Sequence, residues 1–280
     1  MLTPSPGAHE LLAQYKLKPQ KSLGQSFLTD PNILLKIVDA AELAAADVVL
    51  EVGPGLGHLT RLLAQRAEQV IAVELDSRLV SVLRQELADL PNVTLIQGDI
   101  LKLAVPALLS PRHAVYQVVA NLPYYITSAV LRHFLTAQPP PGRMVLTVQQ
   151  EVAQRIVAGP GDMSLLAVSV QFYGRPSVVG RIKAGAFYPP PNVDSAIVRI
   201  DRHVGSPVQV ADEREFFAVV RAGFAQRRKQ LRNSLPPGLH RPQAQITAAL
   251  EAAGVDPRRR PETLSLAEWA AITNRLRMLN

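Results

Sequence analysis

Cysteine is absent from the 280 residues, which excludes disulfide staples and thiolate metal sites and makes a reducing cytosol the simplest setting. Long apolar runs are missing as well. None reaches the roughly 18 residues that a membrane helix needs. The opening residues, Met1 to Gln14, lack the basic start and apolar core of a secretory signal, and Gly7 with the neighbouring Pro and Ser residues predicts a loose N-terminus. Acidic residues are missing from one place in particular: between Arg221 and Arg241 there are six Lys and Arg and no Asp or Glu. These absences set the expectation of a cytoplasmic chain with neither a membrane span nor a metal.

What is present suits one large domain or two unequal ones, since 48% hydrophobic content is enough to bury a core. The net charge of +7 is unevenly spread. Residues 1–200 hold 17 basic against 15 acidic side chains, while residues 201–280 hold 13 against 8. The last 80 residues thus carry +5 of the excess. That favours a polyanionic partner, nucleic acid before membrane; a solvated basic surface is the alternative that composition leaves open.

Residues 16–28, K-L-K-P-Q-K-S-L-G-Q-S-F-L, read either as a loop that packs apolar side chains on the domain or as a lid over a cofactor. Asp30-Pro31 then starts a helix, with Asp30 as its cap. Val48 to Val52 has the composition of a buried strand and runs into Gly53-Pro54-Gly55-Leu56-Gly57-His58 and a further helix. Strand, glycine-rich turn and helix form the nucleotide-binding opening of a doubly wound sheet. A second strand, Val70 to Leu75, carries Glu74, which lies 21 residues after Gly53, where an acid can hold ribose hydroxyls. The dinucleotide fingerprint wants a small residue at position 58, where His58 stands. A pyrophosphate needs the helix N-terminus free; S-adenosylmethionine has no phosphate and needs only backbone room. The spacing therefore favours S-adenosyl-L-methionine over NAD.

A third strand, Val93 to Gln97, ends at Gly98-Asp99, an acid that can take the adenine amino group of a cofactor or simply cap a turn. The fourth, Val115 to Ala120, leads to Asn121-Leu122-Pro123-Tyr124. Asn121 offers a neutral amide oxygen to an amine, Pro123 restrains Leu122 and fixes its carbonyl, and Tyr124 offers a flat face to a base. Four successive strand ends thus each carry a polar group or glycine where such sheets bind ligands. Further on, Thr127 to Leu135 and Glu151 to Val157 read as helices, and Met144 to Gln149 reads as a strand. Ser169 to Tyr173 and Val178 to Ile182 read as strands about a turn at Gly174-Arg175-Pro176. Ser195 to Ile200 is a last strand. Past residue 202 helical spacing takes over: a helix from about Asp212 with Phe216, Phe217, Val220 and Phe224 on one face, a second over Gln243 to Ala253, and a third over Leu266 to Leu279 with a Ser265/Glu268 capping box. Arg227, Arg228, Lys229 and Arg232, between the first two, are the candidate RNA-backbone contacts.

At this point the chain resembles the small-subunit ribosomal RNA adenine dimethyltransferases (KsgA/RsmA type). The likeness is carried by K-S-L-G-Q-S-F-L (21–28), E-V-G-P-G-L-G-H-L-T (51–60), V-E-L-D (73–76), G-D-I-L (98–101) and N-L-P-Y-Y-I-T-S (121–128). It continues through Q-E-V-A-Q-R-I-V-A-G-P-G (150–161), F-Y-P-P-P-N-V-D-S-A-I-V-R (187–199), F-A-Q-R-R-K-Q-L-R-N-S-L (224–235) and G-V-D-P-R-R-R-P-E-T-L-S-L (254–266). The resemblance implies an α/β fold: a Rossmann-like S-adenosylmethionine-dependent methyltransferase domain over residues 1–202, with a small all-α RNA- and ribosome-binding domain over 203–280. It implies cofactor contacts at Ser26, Leu28, Gly53, Glu74, Asp99 and Asn121, and a target adenine held between Tyr124 and Phe187. It also implies a monomer acting on small-subunit ribosomal RNA within a pre-ribosomal particle, dimethylating two adjacent adenosines near the 3' end. Two departures stand out. Ser26 replaces the usual Asn or His, and Asp162-Met163-Ser164-Leu165-Leu166 follows Gly161 without the usual Tyr-Gly, which predicts an altered rim of the target site.

The chemistry expected at N-L-P-Y is acceptance of the two amine hydrogens by the Asn121 side-chain oxygen and the Leu122 carbonyl, with no strong base. Three alternatives stay open at this stage. One is a large-subunit RNA adenine methyltransferase conferring antibiotic resistance, against which Q-R-R-K-Q-L-R-N-S-L speaks. Another is an RNA-binding assembly or transcription-associated factor with secondary methylation, against which the intact Gly53, Glu74, Asp99 and N-L-P-Y speak. The third is a DNA adenine methyltransferase, for which no target-recognition domain is evident.

Overall fold

The run V-V-L-E-V (48–52) is hydrogen-bonded on both sides in the computed structural model, which describes residues 7–109, 115–226 and 228–279. All five residues are buried, as a strand covered on both faces requires. With this run as β1, the main sheet continues with β2 (Gln69–Glu74), β3 (Val93–Gln97), β4 (Gln117–Asn121), β5 (Arg143–Gln149), β6 (Gly174–Ile182) and β7 (Ser195–Arg202). The spatial order is β3-β2-β1-β4-β5-β7-β6. The first five of these run parallel and β7 lies antiparallel to β5, with Gln149 opposite Ser195. Strand order reverses between β1 and β4, and a crevice at their carboxyl ends is where ligands of such sheets bind. A separate two-strand ladder pairs Phe27–Leu28 with Phe187–Tyr188.

The helix Pro31–Ala41 begins where Asp30 accepts the backbone N–H groups of Asn32 and Ile33, the arrangement expected of an Asp cap before Pro. Its Leu34, Ile37, Val38 and Ala41 pack with Leu59 and Leu63 of the helix His58–Ala64 against Val49, Val70, Val119 and Val145 of the sheet. A second cluster joins Leu79 and Val82 to Phe27, Leu56 and a short helix, Ala8–Gln14. Residues 8–14 therefore differ from the loose N-terminus expected: Ala8, Leu11 and Leu12 share one face at helical spacing and are buried. Met1 to Pro6 lie outside the described residues.

The chain divides into two compact units, residues 1–153 with 176–202 and residues 154–175 with 203–280. Segment 154–175 thus clusters with the helical unit, whereas the sequence reading draws a single boundary at 202. Its core stacks Phe172 on Phe216 and Tyr173 on Phe217. Gly223 leaves room for the Trp269 ring, which a Cβ there would strike. Two neighbouring elements differ from the expectation. Residues 169–173 are not a strand but the end of the helix Leu165–Tyr173, capped by Ser164, and Gly174-Arg175-Pro176 is not a turn but the start of β6. The run L-L-A-V-S-V-Q-F-Y is buried on most sides, so neither a 3.6- nor a 2-residue period stands out. A helix at Leu231–Leu239 was not foreseen because Pro236 and Pro237 stand in it; they fall in its last turns, and Leu231 and Leu235, four apart, are buried. The last helix keeps the Ser265/Glu268 capping box in both directions.

One buried group in β1 makes a stability prediction. Glu51 is 1% exposed and its Oε2 has no hydrogen-bond partner. Desolvation pushes its pKa from 4.5 up to about 8, with the Glu74 charge adding to the rise and the Thr60 hydroxyl opposing it. The folded chain therefore holds this proton in a pH range where the unfolded chain has lost it. The contribution of Glu51 to stability falls as pH rises from about 4.5 to about 8, by up to about 1.4 kcal/mol per pH unit. Glu51→Gln is expected to flatten that fall and to be the more stable protein at pH 8 in urea titrations. Parallel curves for the two proteins would contradict the assignment.

Candidate active site

Asp99, Glu74, Gly53 and Asn121 follow or close β3, β2, β1 and β4, which are neighbours in that order, and all four line one cavity of about 990 Å3. Gly53 and Gly55 have φ of +67° and +63°, a left-handed backbone open to glycine at little cost. A Cβ at Gly53 would meet nothing within 4 Å, so a ligand can approach that main chain closely. At Gly55 a Cβ would come within 3.1 Å of the Phe27 ring, which packs directly on the loop.

Glu74 is buried, and its carboxylate is already oriented: Oε1 accepts the Asp76 N–H at 2.9 Å and Oε2 accepts the Gly55 N–H at 3.2 Å. Burial raises its pKa, and these backbone donors partly offset the rise. Each oxygen keeps a second lone pair, so the pair can also take a vicinal diol. Asp99 caps its turn and also lines the cavity. Its Oδ1 accepts the Leu101 N–H at 3.1 Å, and Lys102 Nζ lies 3.6 Å from Oδ2.

The 16–28 segment packs apolar side chains on the domain and also borders the cavity. Phe27 and Leu28 are buried, and Lys21, Gln25 and Ser26 line the cavity. Gln25 ties the segment down, donating to Asp76 Oδ2 at 2.8 Å and accepting the Gln20 N–H at 2.8 Å. Nothing in the sequence singles this residue out, since a polar side chain in a short loop carries no signal of its partner 51 positions away. The Ser26 hydroxyl donates to the Pro189 carbonyl, and the Ser26 carbonyl accepts from Asn121 Nδ2 at 3.3 Å. Leu28 is placed differently from the other named residues. Its side chain is in the core cluster, it is not among the described lining residues, and its main chain pairs with Phe187.

Leu122, Tyr124 and Phe187 line the same cavity. Pro123, at φ −58°, leads from Leu122 into the short turn Tyr124–Ile126. Tyr124 is half-buried, and burial raises its phenol pKa. Phe187 is only 5% exposed. Of the basic residues named from sequence, Arg228, Lys229 and Arg232 are exposed in the helical unit, while Arg227 lies outside the described residues. The Leu231 and Arg232 N–H groups donate to the carbonyls of Arg259 and Pro257, which sets this basic loop against the second basic run of the same unit. The segment 162–166 is held within the helical unit, where Gly161 and Met163 donate to the Glu262 carbonyl. Among the described residues no helix is long and apolar enough to cross a membrane, and no group of three or more His, Cys, Asp or Glu side chains is placed to hold a metal ion.

The family model for ribosomal RNA adenine dimethylase matches residues 16–277. A ribosomal RNA small subunit methyltransferase A of Dehalococcoides mccartyi is 51% identical over 262 residues, covering 94% of this chain and 90% of the relative. One from Geobacillus thermodenitrificans is 46% identical, covering 95% and 94%. Among solved structures, the 23S rRNA methyltransferase ErmE superposes with a TM-score of 0.72 at 31% identity, covering 90% of this chain and 99% of its own. A dimethyladenosine transferase from Plasmodium falciparum gives 0.74 at 26% identity, covering 88% and 95%. With the family matched from residue 16 to residue 277 and its strand-end groups lining one cavity, the chain belongs to the ribosomal RNA adenine dimethylases.

Proposed function

We propose that the chain dimethylates the exocyclic amines of two adjacent adenosines near the 3' end of small-subunit ribosomal RNA, with S-adenosylmethionine as donor, during assembly of the small subunit. The observation that carries the reading is one cavity lined both by the strand-end set Gly53, Glu74 and Asp99 and by Asn121-Leu122-Pro123-Tyr124. At about 990 Å3 it sits at the upper end of single-ligand pockets, which suits a donor and a flipped base side by side.

The residues present fit that donor. Glu74 suits the ribose diol, Asp99 the adenine amino group, and the open main chain at Gly53 the methionine end. S-adenosylmethionine, when bound, supplies a methyl group activated by its sulfonium. The adenosine amine is a weak nucleophile because its lone pair is delocalised into the ring. With Nδ2 engaged by the Ser26 carbonyl, the Asn121 amide leaves its Oδ1 to accept from the amine. Oδ1 and the Leu122 carbonyl accept the two amine hydrogens, localise the lone pair and stabilise the positive charge that develops on nitrogen. Tyr124 and Phe187 hold the base once it has left its stack. A neutral Asn also leaves a methyl already on the amine without a charge conflict.

The small subunit is favoured over the large because the relatives named for the small subunit are 51% and 46% identical, against 31% for the 23S enzyme. The test is labelled methyl transfer to small-subunit particles lacking the modification, run beside protein-free large-subunit RNA. Label in the former alone is expected. Label in the latter alone would assign the chain to the other branch.

The basic loop of the helical unit is the proposed phosphate contact. Replacing Arg227, Arg228 and Lys229 by Ala should weaken binding to the particle and reduce the log–log salt slope by roughly 0.7 to 0.9 per lost phosphate contact. An unchanged slope would make this only a solvated face.

A further inference from the structure

Tyr124 is held from a strand two places away in the sheet. Its Oη lies 2.6 Å from the Oγ of Ser195. Ser195 opens β7 opposite Gln149 of β5 and is fully buried. Since β5 lies between β4 and β7, the contact reaches from the residues after β4 across one whole strand. Tyr124 itself starts a three-residue 3-10 turn, an element with weak hydrogen-bond geometry, so the local backbone does little to fix the direction of its ring. The hydroxyl contact fixes the ring's long axis at its far end, and because a phenol oxygen donates and accepts close to the plane of its ring, a partner held in one place also sets the rotation about that axis.

We propose that Ser195 is a positioning residue for the methyl transfer: it anchors the Tyr124 ring so that its face stays presented to the extruded adenine. This rests on the reading of Tyr124 as the stacking platform. Ser195 has no need to touch RNA or donor, and its partner in action is 71 residues away in sequence. A phenylalanine at position 124 would stack as well as tyrosine but would lack the anchor. The assignment thus explains why tyrosine rather than phenylalanine stands in N-L-P-Y here.

The test is a double-mutant cycle on Ser195→Ala and Tyr124→Phe, with Tyr124→Ala and Ser195→Thr beside it, assayed on small-subunit particles. Each of the two cycle variants should lower kcat about 5- to 10-fold, the size of one buried hydrogen bond. KM for the particle and Kd for S-adenosylmethionine should hold, and the double variant should be no worse than either single one. Ser195→Thr, which keeps the hydroxyl, should recover most of the loss. Additive losses, or a Tyr124→Phe protein with full kcat, would overturn the role of Ser195 while leaving the stacking reading standing if Tyr124→Ala is impaired. Full activity of Tyr124→Ala would overturn the stacking reading itself and the inference with it. Should Ser195→Ala fail to fold, Tyr124→Phe removes the same contact from the half-buried side and decides the matter alone.

Discussion

Asn121→Ala is expected to lower methyl transfer by about 10²-fold or more while S-adenosylmethionine affinity changes by only a few-fold. The expectation follows from how the amide is held. Its Nδ2 donates to the Ser26 carbonyl, so the side chain has a defined orientation before any RNA arrives. An acceptor fixed in advance stabilises charge without reorganising at the moment of reaction. Alanine removes the acceptor and leaves Leu122 and Tyr124 in place, so the base still enters but its amine is no longer drawn into a reactive geometry. Single-turnover rates with saturating donor and particle measure this directly. A variant transferring methyl at the wild-type rate would remove Asn121 from the chemistry and leave the Leu122 carbonyl as the sole acceptor.

Glu74→Ala is expected to weaken S-adenosylmethionine binding by about 10²-fold or more, because two charge-assisted hydrogen bonds to the ribose contribute about 1.5–3 kcal/mol each and about 1.4 kcal/mol is a factor of ten. Glu74→Gln keeps the shape without the charge and should fall between the two. The pH dependence has a definite sign. Burial raises the Glu74 pKa, so donor binding is full when the carboxylate is ionised and weakens as pH falls toward that raised value, earlier than for an exposed glutamate. Isothermal titration over mildly acidic to neutral pH would show it, and the slope should be absent in Glu74→Gln. A pH-independent wild-type affinity would mean that the carboxylate does not hold the ribose.

Much of the candidate site was legible because four of the five parallel strands end abruptly: an apolar run stops at Gly53, at Glu74, just before Asp99 and at Asn121. Chain order alone did not say that these ends adjoin in the order β3-β2-β1-β4; that comes from the crossover topology of the sheet. The Asp30 and Ser265 caps were legible for the same local reason, since a cap bonds only to its own first turn. Contacts made at a distance were not. Ser195 meets Tyr124, Gln25 meets Asp76 and Ser26 meets Pro189 through a fold that brings separate loops together. The misread helices have local causes. Residues 165–173 are buried on most sides, so their period is hidden, and residues 231–239 contain two prolines, whose missing N–H groups argue against a helix in the sequence alone. Leu28 shows that a matching motif position and a side chain in the pocket are different things, since its side chain is part of the core beneath the site.

The most direct measurement is the identity and position of the modified nucleosides after the protein and S-adenosylmethionine are incubated with small-subunit particles that lack the modification. Nuclease digestion and mass spectrometry of the ribosomal RNA should find two methyl groups on the exocyclic nitrogen of each of two adjacent adenosines near the 3' end, and about a hundredth as much or less after the Asn121→Ala reaction stopped at the same time in the initial-rate range. Methyl groups on another nucleoside, on another atom of adenine, or nowhere in the small-subunit RNA would contradict the account.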